Sequence, residues 1–152
     1  VVFPVGNGSL LVGAYKGFDE LVKANMLGIT PELHAVQALA ISPIVSAINQ
    51  KPWSWDPGER TVASGISVSS PPRVEQAVNA VRASNGSATT VTDEHILNWQ
   101  RAIATNEGVF CEPTSAAAFA GLEELIKQGA IPKGSNVLVP VTGSGLKESA
   151  AV

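Results

Sequence analysis

Charge is scarce in this chain of 152 residues. Asp, Glu, Lys and Arg make up 15% of it, against about 25% in an average globular protein. The ten Lys and Arg are scattered and the formal net charge is −3, so no basic stripe exists and nucleic acid is not an expected partner. A single cysteine, Cys111, excludes an internal disulfide framework and is compatible with the cytoplasm, the expected compartment. No apolar run approaches the ~18 residues of a membrane span, so no membrane partner is expected either. With one cysteine and two histidines, no metal-ligand spacing can be written and no metal is expected. An initiator Met is also missing. Val1-Val2-Phe3-Pro4-Val5 reads as a buried strand already under way, and a segment of a longer protein is the expectation.

Apolar residues are abundant, at 45% with 5% aromatic, so the bulk is Val, Ile, Leu and Ala. Such a composition is incompatible with disorder, which needs low hydrophobicity and high net charge. Short apolar runs alternate with helical periodicity. Val1–Val5 ends at Gly6-Asn7-Gly8, and Ser9 is placed to cap a helix that uses Leu11, Ala14, Phe18, Leu21, Val22 and Met26 and stops near Gly28. Leu33–Ala38 is a second strand. Ser42-Pro43 opens a short helix through Ile48. Lys51–Arg60, with Trp53 and Trp55, is a loop, and Thr61–Val68 fits helix and strand equally. A helix follows Ser70-Pro71-Pro72 and stops near Asn85-Gly86. Ala88–Val91 is a third strand, and a helix starts at Thr92 and ends near Gly108. Thr114 or Ser115 is placed to cap an alanine-rich helix to about Lys127, and Asn136–Val141 is a last strand. The alternation predicts one α/β domain portion over 1–152, with a mainly parallel twisted sheet flanked by helices.

Two stretches share a design in which an apolar strand ends in a glycine-containing polar turn: Val5-Gly6-Asn7-Gly8-Ser9 and Val141-Thr142-Gly143-Ser144-Gly145. Parallel α/β sheets bind ligands beyond the carboxyl ends of their strands. The first turn also feeds a helix N-terminus, whose free N–H groups and dipole attract an anion. Structural use of either turn is the competing explanation. Neither a Walker P-loop nor a dinucleotide fingerprint is present, because Leu11 stands where the third glycine of the latter belongs. A monophosphate is the more economical ligand. His34, His95 and Cys111 read as structural or inert. Glu112-Pro113-Thr114-Ser115 sets a carboxylate and two hydroxyls before a helix, where capping alone could account for them.

Taken together, Val5-Gly6-Asn7-Gly8, the Gly108–Ala117 stretch around Cys-Glu-Pro-Thr-Ser-Ala and Val141-Thr142-Gly143-Ser144-Gly145-Leu146-Lys147 resemble the C-terminal half of threonine synthases. These are tryptophan-synthase-β-like, fold-type-II pyridoxal-phosphate enzymes. Val36-Gln37-Ala38 with Ser42-Pro43-Ile44-Val45, and Val91-Thr92-Asp93-Glu94-His95-Ile96, are similar to the same family in the same order. The resemblance implies pyridoxal 5′-phosphate as cofactor, with its phosphate held by Gly6, Asn7, Gly8 and Ser9. It sets the Thr142 hydroxyl against the pyridine nitrogen, tempering the ring as an electron sink, and Glu112 near the cofactor. Ser115 is assigned no more than a cap. A small amino-acid substrate and a homodimer of the full-length enzyme are implied as well.

Two departures qualify that implication. Threonine synthases commonly read Gly-Asn-x-Gly-Asn at the first turn, whereas this chain has Leu10 in place of the last donor. Cysteate synthase, a threonine dehydratase relative and a non-catalytic phosphate-binding module therefore stay open beside conversion of O-phosphohomoserine to threonine. The six lysines, Lys16, Lys23, Lys51, Lys127, Lys133 and Lys147, include none in the Ser-Phe-Lys setting of the family's Schiff-base residue. No catalytic residue is assigned here, and the chain alone is expected to be inactive.

Overall fold

A computed structural model describes residues 1–147; the last five residues of the expected domain span lie outside the described residues. Three strands, β1 (Val2–Pro4), β2 (His34–Ala38) and β3 (Ala88–Val91), form a parallel sheet in the order β1-β2-β3. Phe3 lies opposite Ala35, and Val36 opposite Thr89. Five helices are α1 (Ser9–Lys23), α2 (Pro43–Ile48), α3 (Val74–Ala83), α4 (Asp93–Glu107) and α5 (Pro113–Lys127). The α/β architecture with a flanked parallel sheet is as expected from the alternating pattern. None of the described helices is long and apolar enough to cross a membrane.

Side-chain alternation along the strands separates two cores. Phe3, Ala35 and Ala88 face Leu11, Ile44, Ala77 and Val81 of α1, α2 and α3. Val2, Val36, Ala38 and Val91 face Ile96 and Ile103 of α4 and Ala116, Ala117, Ala120 and Leu125 of α5. The alanine-rich face of α5 brings that helix close to all three strands, because small side chains shorten the helix–sheet distance.

Buried polar groups in this core are placed to close its backbone accounts. Gln37 is fully buried; its amide N–H donates to the Val5 carbonyl at 3.0 Å, and its Oε1 accepts from the N–H groups of Ile44 and Val45, both at 2.9 Å. It thereby caps α2, although Ser42 occupies the N-cap position without a side-chain cap bond. The same side chain ties the end of β1, where the first glycine turn begins, to its neighbour helix.

His34 is buried, and its Nδ1 accepts from Ser87 N–H at 3.1 Å. Burial, aided by the nearby N-terminal charge, pushes its imidazole from 6.5 down to about 4. The folded chain therefore holds His34 neutral at pH values where the unfolded chain protonates it. The contribution of His34 to stability should be constant above pH 6.5 and fall as pH drops from 6.5 towards 4, by about 3 kcal/mol at 1.36 kcal/mol per unit. Urea midpoints measured across that range check this, with His34→Gln expected to flatten the profile.

Helices α4 and α5 are clamped by Glu123, whose carboxylate accepts from Lys127 Nζ at 2.7 Å, His95 Nε2 at 2.7 Å and Trp99 Nε1 at 2.8 Å. Lys127, then His95 and Trp99, holds its carboxyl down at about 2. Because the clamp is partly solvated, Glu123→Gln should lower stability by no more than about 1 kcal/mol, read as a small shift in thermal midpoint. His95 is thus structural, as its isolated position suggested.

Three local expectations differ. Gly8, not Ser9, is the N-cap of α1, which ends at Lys23, short of Gly28. Glu112, not Thr114 or Ser115, is the N-cap of α5. Asn136–Val141 is not a ladder-forming strand. It is tied to β1 by Val2 N–H donating to the Leu138 carbonyl at 3.0 Å, while Leu138 and Val141 are exposed and Pro140 lacks a donor.

Candidate functional site

At the carboxyl end of β1 the chain turns through Gly6, Asn7 and Gly8 into α1. Gly8 has φ +85°, the left-handed region where a Cβ is strained, so glycine is the residue the turn demands. Among the described residues no side chain caps this helix end. The first backbone bond of α1 runs from Val12 N–H to the Gly8 carbonyl at 3.0 Å, so Ser9, Leu10 and Leu11 have no intrahelical acceptor for their N–H groups. An anion seated there meets aligned donors and the positive end of the helix dipole.

The second glycine turn is fixed against the start of α5. Cys111 and Ser144 form an antiparallel bridge; Glu112 N–H donates to the Gly143 carbonyl at 3.0 Å, and Gly145 N–H to that of Phe110 at 2.9 Å. Ser115, fully buried, accepts from Thr142 N–H at 2.9 Å and Gly143 N–H at 3.2 Å. Its hydroxyl lies 3.0 Å from that of Thr142. Glu112 Oε1 accepts from the Thr142 hydroxyl at 3.2 Å, and its Oε2 pairs with Lys147 Nζ at 3.1 Å. A Cβ on Gly143 would sit inside the Glu112 carboxylate, so this glycine admits the carboxylate to its place. Cys111 is buried, with its thiol pushed up by burial, in keeping with an inert reading.

These two turns meet. One cavity of about 280 Å³ is lined by Gly6, Asn7, Gly8, Ser9, Glu112 and Thr142, the six residues singled out from the sequence. It also takes in Leu10, Gly65, Ile66 and Thr114, which sequence reasoning did not assign. Gly65 N–H donates to Thr114 Oγ1 at 3.0 Å. The Asp93 carboxylate holds the approach to Gly65, accepting from Thr61 Oγ1 at 2.6 Å and Val62 N–H at 3.0 Å. The ambiguous Thr61–Val68 stretch carried no periodic signal for this; its one helical turn is Ser64–Ile66. Ser115 was likewise missed beyond capping, since its role depends on a segment 27 residues away. None of the six lysines lines the cavity, and Lys147 reaches only its rim residue Glu112. A larger cavity, about 800 Å³, lies between α2, α3 and β3 and contains none of the six residues.

Residues 1–143 match the family model described as pyridoxal-phosphate dependent enzyme. The chain belongs to this family. It is 40% identical to the threonine synthase of Methanosarcina acetivorans over 157 aligned residues, covering 100% of this chain and 38% of that protein. With the threonine synthase of Methanocaldococcus jannaschii the identity is 34%, over 97% of this chain and 37% of the relative. The chain therefore spans well under half the length of these relatives. Among solved structures, an L-serine ammonia-lyase from Rhizomucor miehei superposes with a TM-score of 0.70 at 21% identity, over 93% of this chain and 44% of that one. That likeness is one of fold, the fold-type-II arrangement.

The donor set suits the family's cofactor. An uncapped helix start and a left-handed glycine present N–H groups to an anion, while the Thr142 hydroxyl and Glu112 provide polar partners across the same cavity.

Proposed function

We propose that this chain is the C-terminal, cofactor-holding portion of a threonine-synthase-like lyase. The reaction converts O-phosphohomoserine and water to threonine and inorganic phosphate. The observation that carries the reading is the convergence on one cavity of Gly6–Ser9, Glu112 and Thr142, brought from three separated stretches of sequence.

Gly6, Asn7, Gly8 and Ser9 would hold the phosphate of pyridoxal 5′-phosphate through backbone N–H groups and the Ser9 hydroxyl. Thr142 would meet the pyridine nitrogen, and Glu112, with Ser115 behind it, would keep Thr142 oriented. The cofactor, when bound, supplies an electron sink for carbon–hydrogen bond cleavage next to the substrate amine. Proton transfer needs a lysine facing the cofactor, and no lysine lines this cavity. That group would come from outside the chain, so the 152-residue chain alone should turn nothing over. The exposed apolar side chains of Val109, Phe110, Leu138, Val141 and Leu146 near the second turn are in keeping with a surface covered in the complete enzyme, whose homodimeric state and cytoplasmic setting are part of the same proposal.

Leu10 lines the cavity where the commoner threonine synthase turn has an asparagine, which favours a paralogue such as cysteate synthase as the second reading. A chimera tests the choice. This chain replaces the matching segment of the Methanosarcina acetivorans threonine synthase, and phosphate release from O-phosphohomoserine is followed. Release that the isolated chain does not support is the expected result. Ammonia release from threonine or serine without phosphate release would move the assignment to a dehydratase, and turnover by the isolated chain would overturn the division of the active site.

A further inference from the structure

The stretch from Thr61 to Ile66 supplies one wall of the cavity, and it enters from residues 54–60, all of them exposed. Asp93, the first residue of α4, takes hold of it from 31 and 32 residues away. The two carboxylate oxygens accept separately, Oδ1 from the Thr61 hydroxyl at 2.6 Å and Oδ2 from Val62 N–H at 3.0 Å. The Thr61 oxygen in turn accepts from Ala63 N–H at 3.2 Å. Capping of α4 does not require this carboxylate, because Thr92 is the N-cap and accepts from His95 N–H at 3.2 Å.

What Asp93 holds leads straight into the site. Ala63 and Ile66 are buried in the core on the α5 side of the sheet. Between them, Gly65 N–H donates to Thr114 Oγ1 at 3.0 Å. The Gly65 carbonyl lies against the first glycine turn: a Cβ on Gly6 would stand 2.8 Å from that oxygen and 3.3 Å from Ile66 Cα. A Cβ on Gly65 would stand 2.8 Å from Thr114 Oγ1. Gly65 is thus wedged between the first turn and the start of α5. Gly65 and Ile66 line the cavity, and Asp93 stands behind them.

We infer that Asp93 is a positioning residue of this site. It fixes 61–63, seats Gly65 and Ile66 between the two glycine turns, and thereby sets affinity for a ligand long enough to meet both. This rests on the reading that the cavity takes the phosphorylated ring of pyridoxal 5′-phosphate. Without the carboxylate, the wall must be ordered at the moment of binding, which opposes binding. Inorganic phosphate meets only Gly6–Ser9 and does not need the wall.

Four substitutions separate a tether from charge and from general stability. Asp93→Ala removes both acceptors. Asp93→Asn keeps both contacts in neutral form: its amide oxygen accepts from Val62 N–H, and its NH₂ donates to the second lone pair of the Thr61 oxygen. Thr61→Val removes one contact and leaves the other. Glu123→Gln loosens the clamp between α4 and α5 without touching the wall.

Pyridoxine 5′-phosphate, whose alcohol does not react with surface lysines, stands in for the cofactor. It and inorganic phosphate are titrated into each folded variant while backbone amides are followed by NMR. Pyridoxine 5′-phosphate should bind Asp93→Ala about tenfold more weakly, Thr61→Val with a smaller loss, and Asp93→Asn and Glu123→Gln within about twofold of the parent chain. Inorganic phosphate should bind all of them alike. In the ligand-free chain, the Gly65 amide proton should exchange faster in Asp93→Ala and at the parent rate in Asp93→Asn. Unchanged pyridoxine 5′-phosphate affinity in both Asp93→Ala and Thr61→Val overturns the inference and keeps the site reading. A loss in Asp93→Asn equal to that in Asp93→Ala overturns it in favour of charge, and an equal loss in Glu123→Gln overturns it in favour of general stability. No saturable change at either glycine turn of the parent chain overturns the site reading, and the inference with it.

Discussion

Replacing Gly121 by valine should destabilise the chain by on the order of 3 kcal/mol, the largest loss of stability expected from a single substitution here. A Cβ at this position already falls inside the side chain of Val36, the buried centre of β2. Helix α5 can respond only by lifting from the sheet, and it packs on all three strands. The loss is a large part of the roughly 5–15 kcal/mol that holds a typical domain together. Urea denaturation reads it as a lower midpoint with an unchanged slope. Val36→Ala in the same chain makes room for the new side chain and should restore part of the loss, since residues in contact couple. An unchanged midpoint in the single variant would mean that α5 does not approach the sheet as closely as described.

Gly143→Ala should have the largest effect on binding. Its Cβ would occupy the place of the Glu112 carboxylate, which is buried and bonded to Thr142 and Lys147. Displacing that carboxylate removes the acceptor that orients Thr142 and separates the ion pair. Affinity for pyridoxine 5′-phosphate should fall about 100-fold, equivalent to about 2.7 kcal/mol. Inorganic phosphate binds only the Gly6–Ser9 turn in this account, so its weaker affinity should be unchanged. Titrations with both ligands check the prediction. An equal loss for both would mean that the two turns are not independent ends of one site.

How far the sequence carries can be judged residue by residue. The strands and helices were legible because apolar periodicity and turn residues act locally: Val1–Val5 before a glycine turn, Ser42-Pro43 before a short helix, Ala88–Val91 between two helices. The two glycine turns were legible as candidate ligand sites because strand ends and helix starts have a physical use for glycine and hydroxyl groups. That both open on one cavity was not legible from spacing, since Thr142 lies far along the chain from Gly6. Ser115 and Gly65 were hidden for the same reason. Ser115 gains its role from backbone groups 27 and 28 residues away, and Gly65 from a hydroxyl 49 residues away. The Asn136–Val141 expectation failed because an apolar run becomes a strand only when a neighbour completes its ladder, and the outer side of this run is open. His34 and Gln37 show the same limit inside the core, where polar residues in an apolar strand are explained only by the groups they meet.

The most direct test of the central claim maps ligand contacts on the chain itself. Pyridoxine 5′-phosphate is titrated into the ¹⁵N-labelled chain and backbone amide shifts are followed by NMR. The account predicts saturable changes concentrated at Gly6–Leu11, Gly65 and Thr142–Gly143, with inorganic phosphate reproducing only those at Gly6–Leu11. Changes confined to the larger cavity beside β3, or an absence of saturable change at both turns, would contradict it.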